Sequence, residues 1–290
     1  MTAPEHVPAR VRFFPIFALL SLGTVLTGSA IASSNGVSTG SWSRNLIAWA
    51  VGALLAAFFA SRRSTGFLRG VLVAAPLGLV ATLVNAGQEG VHRWIDLGPI
   101  HTNLAAILLP GAVVALAALA AADRWTWLVA AVVGVLLVLQ PDASQATAFC
   151  AAVIVVLLRL PASRAIRAAG VAAALVAIAA AWLRPDPLAP VAEVEGIIGL
   201  ALRWSPLVAV LAAALLAAVT LSPLLVARAE GRNVRTAALA LAAYLAVSAL
   251  SAAVGTFPVP LVGVGMSPIV GFWLGCGSLI AASRLRTQGA

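Results

Sequence analysis

The sequence predicts an all-α, polytopic integral membrane protein of about ten transmembrane helices with both termini cytoplasmic. Three observations carry that prediction. The 290 residues are 62% hydrophobic and only 9% charged, with a mean hydropathy of +1.06, more apolar surface than a soluble globular chain can hide from water. Apolar runs of roughly 17–20 residues recur from residue 13 onward, each about the length that crosses a 30 Å hydrocarbon core as a helix. The arginines fall in short clusters between those runs, the pattern that orients a membrane protein. The net charge of +9 would point to nucleic acid in a soluble chain; here its placement encodes topology, so no nucleic-acid partner is expected.

The spans read as 13–33, 45–61, 67–86, 103–122, 125–139, 144–160, 167–183, 195–227, 236–254 and 268–284, forming one transmembrane domain over 1–290. The first follows Arg10 and Arg12. Its end, Ser29-Ala-Ile-Ala-Ser33, has the small residues of a signal-peptidase site, but the apolar run has full span length and is expected to stay as the first helix. With Arg10 and Arg12 cytoplasmic, the inner loops also hold Arg62, Arg63, Arg69, Arg124, Arg159, Arg164, Arg167, Arg228, Arg232, Arg235, Arg284 and Arg286, leaving Arg44, Arg93, Arg184 and Arg203 outside. Six acids, Glu89, Asp96, Asp142, Asp186, Glu193 and Glu195, fall on the outer side. Acids contribute little to topology, so their gathering there asks for a functional explanation.

Gly87 to Asn103 is the longest polar interruption and reads as an external loop. Arg93, Trp94 and Asp96 lie close together in it, Gly98-Pro99 stops the chain, and a helix restarts near Asn103. Gln140-Pro-Asp-Ala-Ser-Gln145 separates two spans joined by almost nothing. Pro141 breaks the helix there, with Asp142 or Ser144 placed to cap the next one. Arg184-Pro-Asp-Pro-Leu-Ala-Pro-Val-Ala-Glu193 is stiffened by three prolines. Beyond it, Glu195 and Arg203 sit two helical turns apart, on a stretch suited to the interface or to charges reaching for headgroups. Gly255 to Pro268 is an uncharged Pro- and Gly-rich loop, and Gly271-Phe-Trp-Leu-Gly275 reads as a helix-packing pair. Cys150 and Cys276 fall inside spans, too separated to predict a disulfide.

There is no phosphate-binding glycine loop, no His-x-x-x-His or Cys-x-x-Cys spacing, and no Gly-x-Ser-x-Gly elbow. His92 and His101 lack further ligands at metal spacing, so no metal site is expected. A small-solute transporter fits poorly: no paired charges lie in mid-span and no inverted repeat is visible.

Three separated pieces together resemble the SEDS family, the FtsW/RodA/SpoVE type. Gly90-Val-His-Arg-Trp-Ile-Asp-Leu-Gly-Pro99 is similar to the family's G-x-x-R-W-I-x-L-G-P, and Leu139-Gln-Pro-Asp142 to its L-Q-P-D. Ala192-Glu-Val-Glu-Gly-Ile-Ile-Gly199, Gly255-Thr-Phe-Pro258 and Pro268-Ile-Val-Gly271 resemble its A-E-E-L-G-L-I-G, G-L-L-P and P-x-x-S-Y-G-G. They occur in the family's order among the spans.

The resemblance implies a ten-helix bundle in the bacterial inner membrane with an outward-facing cavity. It further implies polymerisation of a lipid II disaccharide in cell division or shape, with membrane lipids, the undecaprenyl-linked precursor and a class B penicillin-binding protein as partners. A divalent cation comes only with the resemblance.

The departures are specific. Where the family has Q-P-S-E and then a lysine, this chain has Asn103-Leu-Ala-Ala106 and Leu109. The family's outer loop before A-E-E-L-G is cut to about ten residues, and its H-T-D-F-I-F is replaced by Arg184-Pro-Asp-Pro-Leu-Ala. Asp186 aligns with the family's catalytic aspartate once one residue is deleted. Asp186 is therefore the expected base for the accepting hydroxyl, with Asp142 and Glu193 behind it. Arg93 is the expected diphosphate partner because a planar guanidinium can hold two phosphate oxygens, with Arg184 as its backup. The alternative is a non-catalytic relative that binds the precursor or a partner membrane protein as scaffold or regulator.

Overall fold

The computed structural model describes residues 9–98, 100–227 and 231–285. Pro99, Arg228 and Arg286, and the side chains of Arg10 and Leu97, lie outside the described residues. Helices dominate: α1 (Ala9–Ser34), α2 (Thr39–Ser61), α3 (Thr65–Leu83), α4 (Leu104–Leu119), α5 (Trp125–Leu139), α6 (Ala143–Arg159), α7 (Arg164–Trp182), α8 (Ile197–Trp204), α9 (Pro206–Leu221), α10 (Leu224–Ala227), α11 (Arg232–Val254) and α12 (Met266–Arg284). A two-stranded antiparallel sheet, β1 (Trp94–Leu97) and β2 (Ile100–Asn103), sits between α3 and α4.

Each predicted span lands on helix, but not all match it in form. Seven helical stretches are long and apolar enough to cross a membrane, whereas α4, α5 and α6 have 16, 15 and 17 residues. At 1.5 Å per residue those three reach only about 22–26 Å, short of a bilayer core of about 30 Å. For α4 the physical reason is visible: most of its residues are buried in protein, so its length need not match the lipid around it. The eighth span, expected as one run over 195–227, is broken into α8, α9 and α10. Pro206 starts α9 at its first position, where a missing N–H costs nothing, and Ser222-Pro223 interrupts the run again. Helix α8 begins after Glu195, so Glu195 and Arg203 do not share a helical face.

Side-chain caps define several starts. Ser64, Asn103, Asp142 and Ser163 accept from the backbone N–H of Phe67, Ala106, Gln145 and Ile166, satisfying amides that the helix leaves unpaired. Helix α12 forms the centre, buried along nearly its whole length against α2 and α4. A Cβ on Gly271 would lie 1.9 Å from the Ala106 carbonyl oxygen, one on Gly275 2.9 Å from Pro110 Cβ, and one on Gly277 2.7 Å from the Ala56 carbonyl. Glycines let these helices approach closely. Cys150 and Cys276 are buried and free.

At one end of the bundle, Arg69 pairs with Asp123 at 2.9 Å, Arg159 donates to Thr236 and Arg284 to the Ala60 carbonyl. Each of these contacts joins two helix ends that the arginine pattern assigned to one side. The hairpin, the α5–α6 break and the loops after α7 and α11 gather at the other end.

Candidate functional site

A tight turn, Gln88-Glu-Gly-Val91, precedes the hairpin, and in it Gln88 and Val91 exchange both backbone hydrogen bonds at 2.9 and 2.8 Å. Glu89 and Gly90 have φ of 51° and 84°, the positive values a two-residue reversal of this twist requires. Strands β1 and β2 then pair Trp94 with Asn103 and Asp96 with His101. His92 N–H donates to the Gln140 carbonyl at 3.1 Å, pinning the hairpin to the α5–α6 break. Arg93 thereby enters the protein and is only 5% exposed.

Arg93 is the hub. Its Nε and Nη2 both donate to the Pro141 carbonyl, Nη2 lies 2.6 Å from Asp186 Oδ2, and Nε lies 3.8 Å from Asp142 Oδ2. The guanidinium also stands 5.6 Å from the Phe257 ring and 5.9 Å from the Trp94 ring. A buried arginine needs such partners, since an unpaired charge in a low-dielectric interior is expensive.

Asp142 is almost fully buried. Its Oδ1 accepts from Gln145 N–H and Ser144 Oγ, and its Oδ2 accepts from Asn103 Nδ2 at 3.4 Å. Asn103 caps α4 while its own N–H donates to Ser267 Oγ of α12. Tyr244 of α11 donates to Gln145 Oε1. The starts of α4, α6 and α12 and the middle of α11 are thus tied into one buried polar floor.

Above it lies a cleft of about 150 Å³, lined by Arg93, Pro141, Trp182, Arg184, Asp186 and Phe257 among others. Asp186 comes from the proline-rich loop after α7, its Oδ1 near the Leu188 N–H at 3.5 Å. The loop after α11 closes the cleft with Gly255, Thr256 and Phe257. It is held by main-chain bonds from Val259 to Val194 and from Val264 to Glu193, and by buried Asn45, which donates to Gly263 O and accepts from Gly265 N–H.

The expected site residues separate into three groups. Asp186, Arg93 and Arg184 line the cleft together. Asp142 lies beneath it as a cap and counter-charge, and Trp94 flanks Arg93 from the strand. Asp96 stands on the exposed hairpin, 2.6 Å from His101 Nδ1, and is not among the cleft-lining residues; neither is Glu193, whose main chain fastens the closing loop. Arg93, expected to hold a diphosphate, has donors committed to Pro141 and Asp186. Arg184 is the exposed cation of the cleft.

Sequence reasoning missed Trp182, Thr256, Phe257 and the Pro141 carbonyl. Trp182 was hidden at the end of an apolar run, and the carbonyl carries no residue signal at all. Gly255-Thr-Phe-Pro258 stood out only as a motif.

Among the described residues no group of three or more His, Cys, Asp or Glu side chains could hold a metal ion. Asp142 and Asp186 both turn an oxygen to Arg93, so the carboxylates present do not fit the divalent cation that the resemblance implies.

Burial, the largest influence, raises the Glu195 carboxyl above the usual carboxylate range, while the Val191 N–H bound to it pulls the other way.

No family model and no curated protein matches the chain. Solved structures do. The rod-shape-determining protein RodA of Thermus thermophilus superposes with a TM-score of 0.70 at 22% identity over 93% of this chain and 96% of that one. An aspartate-to-alanine variant of the same protein gives 0.71 at 20% identity over 93% and 97%. The chain has the RodA fold. A structure of a peptidoglycan synthase complex, describing coordination of polymerisation and crosslinking, matches with a TM-score of 0.69 at 21% identity over 94% of this chain and 98% of its own. RodA is a SEDS protein, so the resemblance first carried by scattered motifs extends to the path of nearly the whole chain. The RodA-like fold and its seven candidate spans make this a multi-pass membrane protein.

Proposed function

We propose that this chain is a SEDS-type protein that binds a polyprenyl-diphosphate-linked cell-wall glycan precursor at the Arg93–Asp186 cleft and extends a glycan strand there. One observation supports this above the others: three sequence pieces far apart in the chain converge on one cleft, with Arg93 on the Pro141 carbonyl and 2.6 Å from Asp186. Asp186 reaches that place although the loop carrying it departs from the family pattern.

In this reading the accepting sugar hydroxyl attacks the anomeric carbon of the donor. The bond from that carbon to the diphosphate oxygen breaks, and polyprenyl diphosphate leaves with its charge. Asp186 takes the hydroxyl proton. Arg93 holds Asp186 in place and adds positive charge at the cleft floor, where a dry, preorganised cation is worth most. Arg184 spans two phosphate oxygens of the leaving group.

The protein works in the bacterial inner membrane with ten crossings and both ends cytoplasmic, beside a class B penicillin-binding protein. Reporter fusions at the two termini would then read the same side; opposite readings would overturn that topology.

A second reading rests on α4. The positions where the family carries its acid and its lysine hold Ala106, 5% exposed, and Leu109, fully buried, so no charge enters the cleft from that helix. This favours a scaffold or regulator that binds the precursor without turning it over.

Purified protein incubated with labelled lipid II, with and without a class B penicillin-binding protein, separates the two. The proposal predicts ladders of increasing chain length. Saturable binding that Arg184→Ala weakens, without ladders, would establish the second reading, and absence of both would overturn the proposal.

A further inference from the structure

We infer that Trp182 and Thr256 form a sugar subsite beside Asp186, with the Trp182 ring as the platform for one face of a pyranose. The inference rests on the proposed precursor-binding reading and names how the glycan, as distinct from its diphosphate, is held. Trp182 ends α7 and is 40% exposed, yet it lines the cleft that Asp186 and Arg184 also line.

A tryptophan at the end of a membrane helix ordinarily sits among headgroups with its N–H turned to water or lipid. This one does not have a free N–H. Its Nε1 donates to Thr147 Oγ1 of α6 at 2.9 Å, and its ring meets Phe257 edge-to-face, with centroids 5.5 Å apart at 89°. A Cβ on Gly255 would lie 2.6 Å from Phe257 and 3.3 Å from Trp182 Cη2, so the closing loop reaches the ring only because position 255 has no side chain. Anchored on two sides, the indole is a rigid aromatic surface of the kind that gives contact area at little entropic cost.

The polar groups around it suit a sugar. Thr256 is exposed on the closing loop, and both Thr256 and Arg184 line the same cleft. A pyranose presents apolar C–H groups on its face and hydroxyls at its rim. Stacked on Trp182, it places rim hydroxyls toward Thr256 and Arg184 and one hydroxyl toward Asp186. Few placed polar groups against an aromatic wall is the common composition of a small-ligand site.

The test uses two probes with the same polyprenyl tail: lipid II, which carries the disaccharide, and the polyprenyl diphosphate without sugar. Binding of each to purified full-length protein in detergent is measured by thermophoresis. Trp182→Ala is expected to weaken lipid II about tenfold, the size of exposing one aromatic face, and to leave the sugarless probe unchanged. Trp182→Phe keeps a face and should recover most of the loss, whereas Trp182→Leu should not. Unchanged sugarless binding also reports that the variants are folded. Equal weakening of both probes, or of neither, would overturn the subsite while the precursor reading stands. Failure of the wild type to bind either probe would overturn both.

Discussion

Arg93 shows how a residue flagged for one role can be built for another. Its neighbours in sequence, Trp94 and Asp96, make it read as an external cation awaiting an anion. In the structure it is buried with Asp142 beneath it and Asp186 beside it. Sequence shows which residues are charged but not which donors are already taken; that depends on the backbone break at Pro141, which frees a carbonyl for the guanidinium. Asp142 was legible as a cap because Gln-Pro-Asp-x-Ser is a local pattern. Arg93→Ala leaves Asp142 buried without its cation and is expected to destabilise the protein by about 3–5 kcal/mol. Thermal unfolding in detergent reads this, and an unchanged midpoint would show that the pair contributes nothing.

Glu195 carries a pH signature. Because burial raises its folded pKa above the unfolded value, the folded state holds the proton more tightly. That contribution is fully present below the ordinary carboxylate range and is lost as pH rises through the raised value. Glu195→Gln keeps an oxygen for the Val191 N–H and removes the titration. The melting temperature of the variant relative to wild type should rise between about pH 4 and pH 8; a difference that stays flat or falls would contradict it.

At the scale of elements, apolar run length found the helices but not which of them cross the membrane, because burial in lipid and burial in protein leave the same apolar record. That equivalence is also why it erred. Residues 195–227 are apolar throughout, so the breaks at Ser205-Pro206 and Ser222-Pro223 were lost in one long run, and α4 looked like a lipid-facing span although protein surrounds it. The hairpin was read as loop because its eight strand residues lack alternating hydrophobicity; its reversal falls between Leu97 and Ile100, where Gly98 has φ of 63°, and the pinning of His92 to Gln140 fixes where it starts. The glycines of α12 were legible as packing residues, but their partners were not. Gly271→Leu must push α4 from α12, since even a Cβ would lie 1.9 Å from the Ala106 carbonyl. Overpacking of this kind costs about 1–3 kcal/mol or more. The Tm should fall and the Asn103–Ser267 bond that joins these two helices should loosen; faster amide exchange at Asn103 measures it, and wild-type exchange would contradict the account.

Across the whole molecule, the RodA fold unites pieces that were individually weak. Arg93 and Pro141 come from resembling segments and Asp186 from a loop that departs from the family pattern, about 50 and 90 residues from residue 93 in sequence, yet the bundle delivers all three to one cleft while arginine-bearing helix ends pair at the opposite end. The order of motifs along the chain was enough to propose the fold. The cleft was not legible, because Trp182, Phe257 and a backbone carbonyl become neighbours only when α6, α7 and the loop after α11 pack. At Ala106 and Leu109 this chain lacks the acid and the lysine that the resemblance implies, and among the described residues that line the cleft Asp186 is the acid placed to take a proton. The most direct measurement is the lipid II ladder formed by wild type and by Asp186→Ala, assayed with the same class B penicillin-binding protein at equal folded concentration. The account predicts ladders from the wild type and none from the variant; ladders of the same length and yield from both would contradict it.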